Sequence, residues 1–422
     1  VRIIDLKQGE EMPKRLVEAL TDPSVLKWAH NAAFERVCLC EHGIEIPVEQ
    51  IRCTAVLAGS SGYPMSLADV SAAMALEGFG KSSEGKALIR YFCIPVKATK
   101  ANGGRKRNLP EHDPIKWDMF LEYCVQDTVA EREIERRLDY VETPDWEKAA
   151  YVTDQEINDR GILVDMELIQ NALVIDKKNK TAIIDELKEI TGLDNPNSVL
   201  QLRNWLSDRL PDENIKSLDK AAVTDLLLTA GGVVREVLLL KQKLAKTSIA
   251  KYSAAERFAG EDNRVRGLFQ FNGARTGRWA GRAVQLQNLP RNYVEPLEAI
   301  NDDFRTEDFE TLEMMYGGDI SKIQSELIRT MFIAKKGHTF AVADFSAIEA
   351  RVIAWLADEK WRLDVFATHG KIYEASAASM FGINIDDVTP EERSKGKVCE
   401  LALGYQGSKG ALAAMGAEKM GM

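Results

Sequence analysis

The chain has 422 residues, too many for one compact domain at roughly 150 residues each, so two to four units are expected. Apolar residues make up 45% and charged residues 28%, which excludes a disordered or collagenous chain, and no run of 18 apolar residues is present to cross a membrane. The net charge of −10 argues against nucleic acid as a partner, but two segments argue for it: Lys86 to Asn108 has seven Lys or Arg and no acid, and Lys241 to Arg291 has eleven against Glu256, Glu261 and Asp262.

In chain order, Val1 to Leu6 reads as a short strand and Glu11 to Ala19 as a helix. Val25 to Ala29 reads as a second strand, followed by a helix after Asn31. Gly103, Gly104, Pro110 and Pro114 break up the loop from Lys97 to Pro114, and Trp117 to Tyr140 has helical periodicity. This alternation predicts an α/β unit ending near residue 142, with Thr143 and Pro144 as a linker. Helical patterns follow at Leu168 to Ile190, Val199 to Leu206, Asp219 to Leu228 and Arg235 to Phe258, and they suggest a long helical hairpin. From Arg264 the pattern turns mixed α+β, with β-like runs at Val265 to Phe271 and Thr339 to Ala343. Helical texture returns from Ser346. The cysteines Cys38, Cys40, Cys53, Cys93, Cys124 and Cys399 form no CxxC pair, as expected of reduced thiols in the cytoplasm. Val1 opens no signal-peptide pattern.

Four groups of residues carry candidate chemistry. An apolar run ends at Asp344 and a helix is expected directly after it, which would hold a carboxylate rigidly at a sheet edge, as a divalent-metal ligand requires. Ser346 and Glu349 have capping-box spacing, which a helix start alone explains. Arg393, Lys397, Leu401 and Tyr405 recur every four residues, so one helix face offers two cations for a triphosphate and then an apolar and an aromatic residue for a base. Gly404 and Gly407 would admit close approach there. Thr276 to Arg291 collects Arg278, Gln285, Gln287 and Asn288, side chains suited to phosphates and base edges. His30 to Glu35 and Tyr123 to Asp127 each place a carboxylate beside orienting polar or aromatic groups.

Taken in order, these segments resemble family A DNA polymerases of the bacterial polymerase I type, most closely their bacteriophage and prophage branch. Asp344 to Arg351 (DFSAIEAR) is similar to the first palm motif, and Arg393 to Gly407 (RSKGKVCELALGYQG) to the fingers motif R-x3-K-x7-Y-G, with Gly407 one place late. Thr276 to Pro290 resembles TGRLSS…NLQNIP, and Lys243 to Tyr252 (KLAKTSIAKY) the thumb's lysine-rich segment. NAAFE and YCVQD resemble the second and third motifs of the 3′–5′ exonuclease domain. The resemblance covers nearly the whole chain.

It implies a multidomain α/β and α+β chain: a ribonuclease H-like 3′–5′ exonuclease domain over residues 1–142 without its first strand, a connector and helical thumb over 143–262, the first part of the palm over 263–347, and the first part of the fingers over 348–422. Asp344 would bind two Mg²⁺ ions with help from the Phe345 carbonyl. Arg393 and Lys397 would hold the dNTP, and Lys397 would protonate the leaving group. Tyr405 would stack at the nascent pair, Leu401 would lie at the sugar, and Glu349 would exclude a 2′-hydroxyl. Arg278, Gln285, Gln287, Asn288, Lys243, Lys246 and Lys251 would contact primer–template DNA. Asn31, Glu35, Tyr123 and Asp127 would form the exonuclease site, with Glu35 and Asp127 on its metal.

The departures are specific. Leu401 stands where the family often has Phe or Tyr, and Glu35 replaces an Asp. No D-x-E precedes Asn31, and no H-D-E segment follows His369, the last histidine. The resemblance therefore implies a chain incomplete at both ends, one piece of a larger or split polymerase whose second polypeptide would carry the H-D-E segment. The alternative reading is a non-catalytic relic that binds primer–template DNA; a stand-alone exonuclease is a third and weaker one.

Overall fold

Capping side chains start several of the helices in the computed structural model, which describes residues 1–76, 83–245 and 249–422. Asp165 accepts from the Leu168 N–H at 3.1 Å to start the helix Met166–Thr191, and Gly192 ends it at φ 69°. Asp219 and Asp308 start Lys220–Thr229 and Phe309–Tyr316 in the same way. The chain folds as two units, Val1–His338 and Thr339–Met422.

In the first unit, the strand Lys27–Ala29 pairs in parallel with Ile51–Cys53, and the helix Ala33–Glu41 lies between them in sequence. The expected strand at Val25 to Ala29 is thus present in shortened form. The expected strand at Val1 to Leu6 is not: Leu6–Gln8 is a 3-10 turn. Asp5 explains the difference, because its carboxylate accepts from the N–H groups of Lys7 and Gln8 at 3.0 and 3.1 Å and from Trp117 Nε1 at 2.7 Å. Those bonds draw the backbone into a turn against the helix Pro114–Leu138.

Met166–Thr191 has 26 residues and spans about 39 Å. Leu168, Ile169, Ala172 and Ile175 face a core shared with Tyr252, Phe304 and Leu327. Ile183 and Leu187, farther along, face a second core with Leu202, Trp205 and Leu238. The expected helical hairpin is therefore built on one helix that serves two cores. The run expected as one helix from Arg235 to Phe258 forms two, Gly232–Leu244 and Ala250–Phe258.

After residue 260 the described β content is two-residue ribbons, Arg264–Val265 against Ile162–Leu163 and Phe269–Gln270 against Ala280–Gly281, with isolated bridges from Phe332 to Val164 and from Val265 to Ala259. The strand expected at Thr339 to Ala343 is absent among the described residues. No described strand pairs with this run, and an isolated strand leaves its backbone groups to water. Val342 is 91% exposed.

The second unit is helical: Ile348–Leu356, Lys360–Thr368, Ile372–Phe381 and Pro390–Gly404. The capping box forms at Thr389 and Glu392, not at Ser346 and Glu349. Ala347 takes a φ of 51° as N-cap, and Arg351 reaches back to the Ser346 carbonyl at 2.9 Å. Among the described residues, no helix is long and apolar enough to cross a membrane.

Candidate functional site

In the second unit, Asp344, Phe345, Glu349, Leu401, Gly404 and Tyr405 line a cavity of 340 Å³. The Tyr405 hydroxyl donates to the Glu349 carboxylate, which ties the end of Pro390–Gly404 to the start of Ile348–Leu356. Arg393 and Lys397 are exposed on the same helix, two turns and one turn before Leu401. Arg393 has a local partner that the sequence did not reveal. Its Nε donates to Glu374 Oε1 at 2.7 Å, and its guanidinium lies 5.3 Å from the centre of the Tyr373 ring. Burial pushes the Glu374 carboxyl up, but the Arg393 hydrogen bond and charge, with other neighbours, outweigh it and hold the pKa below the ordinary value.

Arg362 and Ser376 both donate to the Glu400 carboxylate, and Arg362 and Glu400 line the same cavity. Close backbone approach in this unit occurs at Gly396, where an added Cβ would collide with the Tyr373 carbonyl oxygen, and at Gly407, where it would collide with the Ala402 carbonyl oxygen. Gly404 faces open space, and Gly407 also packs on the Ala411 side chain.

In the first unit, the ribbon of Phe269–Gln270 and Ala280–Gly281 brings Arg278, Gln285, Gln287 and Asn288 onto one exposed stretch. Asn288 Nδ2 donates to Gln285 Oε1 at 3.2 Å, and the Gln287 side chain fills the space over Gly281. Lys251 is committed locally: its Nζ donates to the Val284 carbonyl at 2.5 Å, and burial lowers its pKa. Lys243 lies in the last turn of Gly232–Leu244. Lys246 lies outside the described residues.

Near the N-terminus, Asn31 takes a φ of 66° directly before the helix of Glu35. His30 is anchored through both ring nitrogens, to Thr54 Oγ1 and the Met65 carbonyl, each at 2.9 Å. Tyr123 hydrogen-bonds Asp127; burial first and then that bond push the Tyr123 phenol up to about 12. Burial raises both the Asp127 and the Glu35 carboxyls. The charge that faces Glu35 is Glu131, pushed up to about 7 by burial and then by Glu35. Glu131 was missed in the sequence, although it follows Asp127 by one helical turn on Pro114–Leu138. Among the described residues, no three His, Cys, Asp or Glu cluster as metal ligands would.

Residues 170–417 match DNA polymerase family A. The chain is 50% identical, over its full length, to the DNA polymerase of Bacillus phage SP02, and it spans 65% of that protein's length. It is 31% identical to DNA polymerase I of Caldicellulosiruptor bescii over 34% of the chain and 13% of that protein. Its fold is similar, at a TM-score of 0.58 and 20% identity, to the polymerase domain of Pol1 from M. smegmatis in complex with DNA primer-template and dNTP, covering 95% of this chain and 62% of that one. These likenesses bear out the family expected from the motifs: the chain belongs to DNA polymerase family A, on the bacteriophage side of that family.

Proposed function

We propose that the chain performs template-directed DNA synthesis, moving a nucleotide from a dNTP to a primer 3′-hydroxyl, as part of a larger or split polymerase in the cytoplasm. The observation that carries this reading is the cavity shared by Asp344, Phe345, Glu349, Leu401 and Tyr405, on the helix that also exposes Arg393 and Lys397, in a chain of this family. The Asp344 carboxylate and the Phe345 carbonyl are hard oxygen donors and suit Mg²⁺. Two bound Mg²⁺ ions would activate the primer hydroxyl and offset charge on the triphosphate.

The chain's own residues then have distinct tasks. Arg393 and Lys397 bind the triphosphate, and the Lys397 ammonium supplies the proton that pyrophosphate takes as it leaves. Tyr405 stacks on the new pair, Leu401 lies at the sugar, and Glu349 blocks a 2′-hydroxyl. Arg278, Gln285, Gln287 and Asn288 test the minor groove near the primer end, where the acceptor pattern reports pair geometry more than sequence. Lys243, Lys246 and Lys251 meet backbone phosphates; Lys251 keeps two further N–H groups beyond its bond to Val284.

Residues 1–142 act as a ribonuclease H-like 3′–5′ exonuclease domain through Asn31, Glu35, Tyr123 and Asp127, with 143–262 as connector and thumb, 263–347 as palm and 348–422 as fingers. An H-D-E segment, carried by a second polypeptide in the split reading, would complete the polymerase site. Fluorescence-detected dNTP binding by the full chain tests the triphosphate assignment. Removing a charge-assisted contact costs about 1.5–3 kcal/mol, so Arg393→Ala is expected to weaken binding by roughly 10- to 100-fold. Equal dNTP affinity in the variant would remove Arg393 from the site.

A further inference from the structure

Arg36 is a buried cation that nothing in the proposed chemistry uses, and it begins a chain of polar contacts. It directly follows Glu35 on Ala33–Glu41 and is 9% exposed. Its two terminal nitrogens donate to the Asp159 carboxylate at 2.7 and 2.5 Å, and Nη2 also lies 3.4 Å from Gln155 Oε1. Gln155 Nε2 donates to Asp154 Oδ2 at 2.9 Å. The other oxygen of Asp154 accepts from the Trp279 indole N–H at 2.8 Å.

Asp154, Gln155 and Asp159 all sit on the helix Asp145–Arg160, whose neighbouring Asn158 bonds both the N–H and the carbonyl of Phe269 at 2.9 and 3.1 Å. One helix thus grips both strands of the ribbon, one by its backbone and the other beside it at Trp279. The grip is polar by necessity. A cavity of 660 Å³ opens among His30, Arg36, Asp154, Gln155, Phe269 and Arg282, so close packing does not fix the spacing. Asp154 and Gln155 are 2% and 4% exposed, so each lost bond leaves a buried polar atom without a partner.

We propose that Asp154 is a positioning residue for primer–template binding: it sets the Arg278-to-Asn288 stretch through Trp279, and Gln155, Arg36 and Asp159 tie that setting to the helix that carries Glu35. The proposal rests on the polymerase reading above. The Asp154–Trp279 bond spans 125 residues of sequence, and the Arg36–Asp159 pair spans 123. The geometry of the Arg278 stretch is therefore a property of the N-terminal region as well as of the ribbon.

Fluorescence anisotropy of labelled primer–template with the full chain tests this. Asp154→Ala is expected to raise the Kd about tenfold. Asp154→Asn keeps an oxygen for the Trp279 N–H and is expected to stay within about threefold of the parent. Trp279→Phe keeps the ring against Phe271, 5.2 Å between centroids, and removes only the donor, so it reports on the bond if the Ala variant fails to fold. Arg36→Met combined with Trp279→Phe is expected to cost about as much as either change alone, since linked residues are not additive, whereas independent damage would multiply to about 100-fold. dNTP affinity is expected to stay within about twofold in all of them.

Parent-like primer–template binding by both Asp154→Ala and Trp279→Phe would overturn the positioning role and leave the polymerase reading intact. Multiplicative losses in the double variant would overturn the link to Arg36. No primer–template binding by the parent chain would overturn the polymerase reading and this proposal with it.

Discussion

Gly396→Ala sets two physical effects against each other, and the structure decides between them. Gly396 is buried inside the helix Pro390–Gly404, where helix propensity alone favours alanine by about 1 kcal/mol. The added Cβ would lie within 3.0 Å of the Tyr373 carbonyl oxygen and 3.1 Å from both the nitrogen and the Cβ of Ala377. The obstructing oxygen belongs to the backbone of Ile372–Phe381, so no side-chain rotation relieves the clash. The two helices must separate by roughly an ångström, and overpacking of this kind costs about 1–3 kcal/mol. The clash matches or outweighs the gain, and the variant is expected to lose up to about 2 kcal/mol net. Urea unfolding followed by circular dichroism reads the stability. The separation also pulls Arg393 from Glu374, now 2.7 Å apart, so dNTP affinity is expected to fall with it. A variant that gains about 1 kcal/mol would refute the packing argument and leave only propensity.

Two further expectations concern the first unit. Tyr252 is fully buried and donates to the Gln324 carbonyl at 3.0 Å, so Tyr252→Phe is expected to cost about 1 kcal/mol in urea unfolding; an unchanged midpoint would show that the bond contributes nothing net. Hydrogen bonds from Arg266 at 2.6 and 2.9 Å lead the effects that lower the Asp262 carboxyl from 3.8 to about 2. Its folded pKa is depressed, so its contribution is fully present above 3.8 and is lost as the pH falls through about 2. An NMR titration should find Asp262 ionised down to about pH 2, with Arg266→Gln returning it toward 3.8, and a midpoint near 3.8 in the parent chain would contradict the pairing.

The features that were legible in the sequence are those set locally. The patterns at Leu168 to Ile190 and Val199 to Leu206 correspond closely to Met166–Thr191 and Val199–Ser207, because caps and apolar periodicity act within a few residues. Arg393, Lys397 and Leu401 share a face for the same reason. The failures have non-local causes. Val1 to Leu6 and Thr339 to Ala343 have strand composition, but a strand exists only with a neighbour, and Asp5 finds Trp117 instead. The engagement of Lys251 by Val284, of Arg393 by Glu374 and of Asp154 by Trp279 depends on which segments meet, and no spacing encodes that. The tight crossing at Gly396 looked like an ordinary helical glycine, while of the two glycines expected to admit close approach Gly407 meets the Ala402 carbonyl and Gly404 faces open space.

The central claim is that Asp344 serves nucleotide transfer within this chain's cavity. A primer-extension gel tests it most directly, with purified full chain, labelled primer–template, dNTPs and Mg²⁺, with and without a polypeptide that supplies an H-D-E segment, and with Asp344→Ala in parallel. The account predicts primer lengthening when an H-D-E segment is supplied, and its disappearance in the variant. Tight, salt-dependent primer–template binding with no lengthening under any of these conditions, or lengthening that survives Asp344→Ala, would contradict it.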